Sequence, residues 1–398
     1  MKESPFICAL KRELANSRAN DYADNHDAIQ LGAEPPAPPP MWRVCGAELK
    51  ARLKELASNL LSWIRPYLRP VKRLFLYYFL PRRFFDQEAM RYNDVSFLHN
   101  LVGNSASRDL VVKLFAYRIL GHRKVKLPRN YPQYWQDIEN IEKYRTAAAP
   151  VQIQFMNMVL PLYDFSQMGY DLRVHATAPG TACAFVQKQY EYHSGAIHCK
   201  AEAGDIAIDA GGCWGETTMY FAHEVGATGR VISFEFIPSN LAVMRINMDC
   251  NPALAPRVTL VERPVWSHSG LKLFYVDWGP GSRVTDDEKQ YQYDGTCETI
   301  SIDDMVQELQ LPRVDFIKMD IEGAEFPALR GAEQTIRSYR PKLAISLYHQ
   351  ISDFVTIPRF LYELDLGYDF YVEHHTIYQN ETVLFAIPCS DFSPKQAV

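Results

Sequence analysis

The stretch that decides the fold runs from Gly204 to Gly215 and reads Gly-Asp-Ile-Ala-Ile-Asp-Ala-Gly-Gly-Cys-Trp-Gly. An apolar run of strand length leads to Asp209, and glycines follow before a helical stretch. A second apolar run, Val-Ile-Ser-Phe, ends at Glu235. This order predicts a βαβ unit that binds an adenosine-bearing cofactor. Glycines let backbone N–H groups approach such a ligand, and the second carboxylate accepts hydrogen bonds from ribose hydroxyls.

The spacing of the turn indicates which cofactor it binds. It reads Asp209-x-Gly211-x-x-x-Gly215 and differs from the G-x-G-x-x-G of dinucleotide sites. A pyrophosphate lies on the N–H groups of a helix N-terminus, where nearby negative charge is unfavourable. An acidic strand end suits a cationic ligand instead, and S-adenosylmethionine carries an ammonium and a sulfonium. The turn therefore predicts a methyl donor, although glycines that serve only a turn are the open alternative.

Alternating apolar strands and helical stretches continue from residue 201 towards the end of the chain. Strands separated by helices predict an α/β fold with a doubly wound, mainly parallel sheet covered on both faces. The predicted strands are 205–210, 230–235, 257–262, 271–276, 296–302, 314–320, 342–348, 368–374 and 382–387, and the predicted helices are 216–226, 238–250, 302–310, 325–338 and 355–366. Ligands of such sheets bind at the carboxyl ends of strands, which selects Asp209, Glu235, Arg263, Asp320 and His349.

A second motif, Val-Asp-Phe-Ile-Lys-Met-Asp-Ile-Glu-Gly-Ala-Glu, runs from Val314 to Glu325. Its apolar strand delivers Asp320 to the edge of the sheet, and Glu322 and Glu325 follow at once. Carboxylates this close repel one another unless a cation or donor hydroxyls lie among them. The sulfonium of the donor is one such cation. For Glu325 a simpler explanation is open, since acidic residues favour the positive N-terminus of the following helix.

The candidate catalytic groups are Asp320, Glu322 and His349. Methyl transfer to a hydroxyl oxygen needs a base as the proton leaves, and a carboxylate or a histidine with a pKa near neutrality can serve. A histidine just after a strand is also commonly a structural residue, so both roles stay open for His349. Weaker candidates are His268, His374 and His375.

Cysteine and histidine spacing argues against a metal or disulfide framework. The eight cysteines are scattered without a C-x-x-C pair, which excludes common zinc sites and indicates a reducing, cytoplasmic setting. Asp320 and Glu322 offer the oxygen ligands that Mg²⁺ prefers. A divalent metal is thus compatible with the sequence but not indicated, and we predict no metal-binding residue.

Composition bounds the class of protein. With 398 residues, 47% hydrophobic and 22% charged, the chain is an ordinary globular protein with room for two domains. The net charge of -5 does not show the excess of basic residues that is typical of nucleic-acid-binding proteins. No apolar run approaches the roughly 18 to 20 residues that cross a bilayer. The acceptor, a small molecule or a glycan, and the oligomeric state are not specified.

The first part of the chain differs in composition from the rest. Residues 1–40 end in a proline-rich run and predict a disordered leader. Residues 41–85 predict a basic amphipathic helical segment, whose stretch 43–83 carries ten basic and two acidic residues. Such a helix can lie peripherally on an anionic inner membrane surface, or pack on the rest of the protein. Residues 86–195 predict a mainly helical cap, and residues 196–390 the methyltransferase domain.

Taken together, residues 185–388 resemble the FkbM family of S-adenosylmethionine-dependent methyltransferases. The resemblance implies a class I methyltransferase fold, a Rossmann-like sheet, and methyl transfer to an oxygen, often on a sugar or a glycosylated natural product. The matching segments begin at Gly204, Val231, Pro264, Ile300, Asp315, Leu329 and Arg340. Among them, I-K-x-D-x-E-G-x-E is the diagnostic one.

The resemblance also implies roles for the cofactor residues. Asp209, Gly211 and Gly215 would line the methionine end of the donor, Glu235 would hold the ribose, and Phe236 would flank the adenine. The chain departs from the commoner D-x-G-A-N-x-G form by having Gly212 and Cys213 in place of Ala-Asn. Backbone N–H contacts survive that change, so Gly212 stays a cofactor-binding candidate.

We therefore predict an S-adenosylmethionine-dependent O-methyltransferase that acts on a hydroxyl of a sugar, glycan or glycosylated natural product. Two other functions stay open. One is an NAD-dependent oxidoreductase on a similar sheet, against which the missing G-x-G-x-x-G argues. The other is a catalytically inactive methyltransferase-like module that recruits partners.

Overall fold

The computed structural model describes residues 3–22, 81–286 and 293–389. The chain divides into two compact units, Met1–Ser96 with Val112–Leu127, and Phe97–Val111 with Pro128–Val398. The proline-rich run and the predicted basic segment as far as residue 80 lie outside the described residues.

Twelve α-helices lie within the described residues, and none is long and apolar enough to cross a membrane. In chain order they are α1 Pro5–Ser17, α2 Pro81–Met90, α3 Ser96–Leu101, α4 Ser105–Leu120, α5 Pro132–Ile141, α6 Ala178–Thr181, α7 Glu216–Glu224, α8 Pro238–Asp249, α9 Ile302–Glu308, α10 Glu325–Arg330, α11 Glu333–Tyr339 and α12 Asp353–Glu363.

Helix α1 corrects the predicted disordered leader over residues 1–40. The side chain of Ser4 caps the helix by accepting a hydrogen bond from the N–H of Ile7 at 3.3 Å. Phe6, Leu10 and Leu14 recur at helical spacing and are fully buried in the first unit. The prediction extended the disorder of the proline-rich run to a stretch that carries its own cap and apolar face.

The described strands are short outside the main sheet. They are β1 Val151–Gln152, β2 Val159–Leu160, β3 Leu162–Asp164, β4 Arg173–His175, β5 Tyr192–Ser194, β6 Ile197–Cys199, β7 Ile206–Ala210, β8 Arg230–Phe234, β9 Val258–Val261, β10 Lys272–Val276, β11 Arg283–Thr285, β12 Gly295–Glu298, β13 Phe316–Met319, β14 Lys342–Ser346, β15 Tyr368–His374 and β16 Thr382–Pro388.

The main sheet confirms the predicted fold class. Its order is β15-β16-β14-β13-β7-β8-β9. The pairs from β14 to β9 are parallel, and β16 lies antiparallel between β14 and β15. Strands β7 and β13 are buried at every position, as expected for parallel strands covered on both faces. The observed strands and helices of this sheet lie within a few residues of the predicted ones.

Two predicted strands, 271–276 and 296–302, do not join the main sheet. They form β10 and β12 of a separate antiparallel sheet with the order β11-β10-β12. No helix separates β9 from β10, and a parallel neighbour needs a crossover connection of a dozen or more residues, usually a helix. The missing helix was the signal that these strands leave the parallel sheet.

The predicted helical cap is only partly helical. Most of its helices lie in its first part, and the antiparallel pairs β1–β2, β3–β4 and β5–β6 lie within residues 151–199 together with the short helix α6. Aromatic side chains, which favour strands, pack the β3–β4 hairpin on the main sheet's first helix. Phe165 stacks on Phe185 with ring centroids 4.5 Å apart, and Phe185 meets Tyr220 of α7 edge-on at 5.7 Å.

One buried asparagine joins that hairpin to helix α8 and to the glycine-rich turn. Asn247 accepts the N–H of His175 at 2.6 Å and donates to the carbonyl of His175 at 3.0 Å. It also donates to the carbonyl of Trp214 at 2.8 Å. The side chain is fully buried, so each lost bond would leave a buried polar group without a partner.

Asn247→Ala should lower the free energy of unfolding by about 3 kcal/mol, because each buried group left unpaired costs about 1 to 3 kcal/mol. Urea unfolding followed by circular dichroism measures the loss. Asn140→Ala is the matched control, since Asn140 is exposed and should change stability by less than about 0.5 kcal/mol. Equal losses in both variants would contradict the anchoring role.

Candidate functional site

The turn after β7 can be built only from glycine at its key positions. Gly211 has a φ of +90°, and a Cβ there would lie 2.0 Å from the carbonyl oxygen of Asp320. A Cβ on Gly212 would lie 2.4 Å from the hydroxyl of Ser233. Gly215 has a φ of +92° and precedes α7. The predicted glycines therefore bring the turn against both neighbouring strand ends.

Asp209 does not present a free negative charge to a ligand, which corrects our interpretation of the turn. Parallel pairing of β7 and β13 sets Asp209 beside Lys318. The carboxylate pairs with the Lys318 Nζ at 2.9 Å and accepts the hydroxyls of Thr217 and Thr218 at 3.0 and 2.7 Å. Both charged side chains are buried. The charge of Asp209 is thus neutralised by an ion pair within the sheet.

Lys318 was missed as a functional residue. Burial opposes its charge, yet Asp209, with Asp320 nearby, holds its pKa above the ordinary value. Its ammonium also donates to the carbonyls of Ala210 at 3.2 Å and Gly211 at 2.6 Å. A lysine inside an apolar strand was the available signal, because a buried lysine requires a partner.

Glu235 lies in the predicted position at the end of β8. Its Oε1 accepts the backbone N–H groups of Phe236 at 2.7 Å and Ile237 at 2.8 Å, and its Oε2 accepts the amide of Asn240 at 3.3 Å. Burial raises the pKa of this carboxyl to about 7 against those hydrogen bonds. The carboxylate is held in one orientation at the edge of a cleft.

That first cleft has a volume of about 580 Å³. Its walls join the glycine turn and Glu235 to the loop after β10, where Asn240 donates to the carbonyl of Gly279 at 3.1 Å. Phe236 lines the cleft and meets Tyr275 edge-on at 5.8 Å. Further lining residues are Arg263, Pro264, Val265, Pro280, Ser282 and Val284.

A second, larger cleft of about 1280 Å³ adjoins the first. Five residues line both clefts: Gly211, Cys213, Pro280, Asp320 and Glu322. Aromatic side chains from the cap and from the strand ends supply much of the second wall, namely Tyr134, Phe155, Tyr190, Trp214, Tyr348 and Tyr378. The two clefts therefore meet at the predicted strand ends.

Asp320 lies where the clefts meet. It accepts the hydroxyl of Tyr190 at 2.7 Å and that of Tyr348 at 2.9 Å. Burial opposes its charge, but His349 and Lys318 hold the pKa of this carboxyl below its usual range. The donor hydroxyls expected among the carboxylates are these tyrosines.

The carboxylates around His349 favour its protonated form, which makes it a poor base at neutral pH. Its Nε2 lies 3.5 Å from Asp320 and 3.3 Å from Glu322, and its Nδ1 lies 2.9 Å from Glu325. Burial alone would lower the pKa of this imidazole, but the neighbouring carboxylates raise it to about 11. The ring therefore keeps its proton at neutral pH and neutralises the carboxylates. From the sequence we had expected the sulfonium of the donor to do this.

Glu325 is structural, as the simpler explanation held. It accepts the N–H groups of Ile321 at 2.8 Å and Gly323 at 3.0 Å at the start of α10. It also groups with Asp320 and His349, whose ligand atoms all lie within 4.8 Å of one another. His349 forms ion pairs with both of these carboxylates. Glu322 also pairs with His349.

The other candidates, His268, His374, His375 and Arg263, are not among the residues that line the second cleft. His374 and His375 are buried at the end of β15, and the Nδ1 of His374 lies 2.9 Å from the Thr382 hydroxyl. His268 is exposed. Arg263 lines the first cleft and pairs with Glu308 at 2.6 Å.

Two further carboxylates in the second cleft were missed. Glu216 begins α7, and its Oε2 is buried without a hydrogen-bond partner among the described residues. Glu381 precedes β16. Burial raises the pKa of each to about 7. Neither position follows a spacing rule, although an acidic residue directly after Gly215 was visible.

The arrangement fits a cationic, adenosine-bearing donor. Residues 198–370 match the family model described as the methyltransferase FkbM domain. This match confirms the predicted resemblance to the FkbM family over these residues, which make up less than half of the chain.

Solved structures with similar folds are distant in sequence. Methyltransferase FkbM from Methylobacillus flagellatus KT is 16% identical, with a TM-score of 0.48 over 76% of this chain and 60% of that chain. Our chain thus spans 60% of that protein's length. Fibrillarin from Aeropyrum pernix, with natively bound S-adenosyl-L-methionine, is 12% identical, with a TM-score of 0.34 over 61% of this chain and 96% of that chain.

A third similar structure is an S-adenosylmethionine-dependent O-methyltransferase from Thermotoga maritima. It is 11% identical, with a TM-score of 0.32 over 57% of this chain and 72% of that chain. No curated protein matches the chain.

The charge on His349 predicts a pH dependence of the protein's stability. The folded-state pKa of about 11 exceeds the ordinary 6.5. The stabilising contribution is therefore complete below pH 6.5 and is lost as the pH rises towards 11. Wild type should lose about 2 kcal/mol of unfolding free energy relative to His349→Gln between about pH 7 and about pH 9.

Urea unfolding of both proteins across that pH range measures the difference. His268→Gln, at an exposed position, is the control and should follow the wild-type curve. Parallel curves for wild type and His349→Gln would show that the imidazole carries no such charge.

Proposed function

We propose that the protein transfers the methyl group of S-adenosylmethionine to a hydroxyl oxygen of a sugar, glycan or glycosylated natural product. The observation that carries the proposal is the meeting of two clefts at Gly211 and Asp320. The first has polar anchors and an apolar wall that suit a nucleoside, and the second is larger and aromatic. A methyl group at their junction would face the second cleft.

The first cleft would hold the adenosine part of the donor. The Oε2 of Glu235 accepts a long hydrogen bond from Asn240 at 3.3 Å, and its remaining acceptor capacity suits ribose hydroxyls. Phe236 lines the same wall and offers an apolar surface for the adenine. Gly211 lines both clefts, so the backbone of the turn faces the proposed ligand.

Glu216 would hold the ammonium of the methionine part. Its buried, unpartnered Oε2 lies in the second cleft close to the glycine turn. A cation beside it would supply the missing partner and lower its raised pKa. The same carboxylate argues against a dinucleotide, whose pyrophosphate would need this helix N-terminus.

When bound, S-adenosylmethionine supplies a methyl group on a sulfonium, whose leaving group is a neutral thioether. The protein then mainly has to align the acceptor oxygen with that methyl group, and positioning of this kind can contribute about 7 to 11 kcal/mol. The turn at Gly211 and the hydrogen-bonded Asp320 are held rigidly enough by neighbouring strands to do so.

The charge of the second cleft indicates what kind of acceptor enters. Glu216, Asp320, Glu322 and Glu381 line it, whereas Lys318 is the one lysine or arginine among its described lining residues and is paired with Asp209. A phosphorylated or acidic acceptor would be repelled. Aromatic side chains there can pack on the C–H faces of a sugar ring. A neutral carbohydrate or glycoside therefore suits the cleft.

The location of the protein belongs to the proposal as well. We infer a cytoplasmic protein whose basic segment 43–83 lies on the inner membrane surface, with no nucleic-acid partner. The basic composition of that segment supports the membrane contact. The overall charge of -5 supports the absence of a nucleic-acid partner.

Glu235→Gln should weaken the binding of S-adenosylhomocysteine about tenfold to a hundredfold, because hydrogen bonds to a charged group contribute about 1.5 to 3 kcal/mol. Isothermal titration calorimetry measures the affinity. Glu262→Gln is the control, since Glu262 is exposed and pairs only with Arg245 among the contacts described. Equal affinities in wild type and Glu235→Gln would mean that the ribose lies elsewhere.

Methyl transfer should be detected with neutral glycosides and be at least tenfold slower with their phosphorylated counterparts, because of the repulsion by the carboxylates of the second cleft. Product mass spectrometry after incubation with S-adenosylmethionine checks both sets side by side. Raised salt should reduce the difference, since it screens charge. A preference for the phosphorylated acceptor would overturn the assigned acceptor class.

A further inference from the structure

We propose that Glu381 is the general base that takes the proton from the acceptor hydroxyl. This inference rests on the proposed function and deepens it, because it names the residue that the reaction needs and that the sequence motifs did not supply. Glu381 precedes β16 and lines the second cleft together with Asp320 and Glu322.

The surroundings of Glu381 hold its carboxylate in place. The amide of Gln189 donates to its Oε2, and the amide of Asn380 donates to its Oε1 at 3.2 Å. Its backbone φ is +63°, a left-handed conformation that is unfavourable for a residue with a side chain. Such backbone is found where the surrounding structure fixes a functional side chain. Both contacts come from neutral amides, and the contacts described for Glu381 include no ion pair.

The other acidic groups of the cleft are poorly suited to accept a proton. Asp320 already accepts two tyrosine hydroxyls, and its charge is stabilised by Lys318 and His349. Glu322 faces the protonated His349 at 3.3 Å. A carboxylate whose charge is stabilised this strongly is a weak base. Glu216 lies beside the glycine turn, on the side assigned to the ammonium of the donor.

The titration of Glu381 suits the task. Burial and the nearby Asp320 together raise the pKa of its carboxyl to about 7, against the opposing effects of His349, Tyr348 and Gln189. Cys183 also lies close enough to interact with it. A base works best with a pKa near the working pH. The hydroxyl of Tyr348 lies within hydrogen-bonding reach of both Glu381 and Asp320, which couples the two carboxylates.

In the proposed step, the hydroxyl oxygen of the acceptor forms a bond to the methyl carbon, and the carbon–sulfur bond breaks with its electron pair going to sulfur. The sulfonium becomes a neutral thioether. The hydroxyl proton passes to the carboxylate of Glu381 and is later released to solvent.

The test compares the affinities of S-adenosylmethionine and S-adenosylhomocysteine across pH by calorimetry. The two ligands differ in the charged methyl-sulfonium, so their affinity ratio reports carboxylates that face the transferring methyl group. In wild type the ratio should shift at least threefold towards S-adenosylmethionine between about pH 6 and about pH 8, as expected for a nearby charge that appears on ionisation. Glu381→Gln should abolish that shift and keep the affinity for S-adenosylhomocysteine.

Glu216→Gln is the matched control. Glu216 shares the raised pKa of about 7 and the same cleft, but it faces the ammonium that both ligands carry. This variant should weaken the binding of both ligands, and the ratio of their affinities should still shift with pH as in wild type. A ratio that does not change with pH in wild type, or one that still shifts in Glu381→Gln, would overturn the assignment.

A second readout follows the slow conversion of S-adenosylmethionine to S-adenosylhomocysteine with water as acceptor. Glu381→Gln should lower this rate at least tenfold and remove its rise with pH, since a general base contributes about a hundredfold or more. Retention of the wild-type rate in Glu381→Gln would overturn the proposal. If wild type binds neither ligand at any pH, the proposed function itself fails, which is a distinct outcome.

Discussion

The buried ion pair between Lys318 and Asp209 is the constraint on which the site depends. Taking two charges out of water costs several kcal/mol per ion unless the geometry is good and the remaining hydrogen-bonding groups are satisfied. Both conditions hold here. The carboxylate accepts two threonine hydroxyls, and the ammonium donates to the carbonyls of Ala210 and Gly211. The pair therefore fixes where β7 ends and how the glycine turn leaves the sheet.

A second balanced cluster lies one strand end away, around His349. Its imidazolium is surrounded by Asp320, Glu322 and Glu325, and Glu325 in turn holds the loop that follows β13. Fixed charges of opposite sign thus stabilise both loops at the junction of the clefts. The remaining carboxylates, Glu216 and Glu381, owe their raised pKa to burial. They are the groups whose charge can change when a cation or a proton arrives.

Much of the fold could be predicted from the sequence because parallel strands and their crossover helices have separate, strong patterns. Strands such as β7 and β13 are continuous apolar runs, and each glycine turn marks an end. Prediction failed where pairing depends on residues far away. The hairpins over 151–199 and the sheet of β10 to β12 are short, and their partners are set by tertiary packing.

The features of the site likewise divide into those predicted from local sequence and those set by tertiary packing. The sequence by itself determined the positions of Gly211, Glu235 and Asp320, because a strand end followed by glycine or a carboxylate is a local pattern with a local physical reason. Only the tertiary structure decided their charge. It paired Asp209 with Lys318 across two strands, made His349 a cation among carboxylates, and brought Glu381 into the cleft. Protonation depends on burial and on distances between residues remote in the chain, and a linear pattern contains neither.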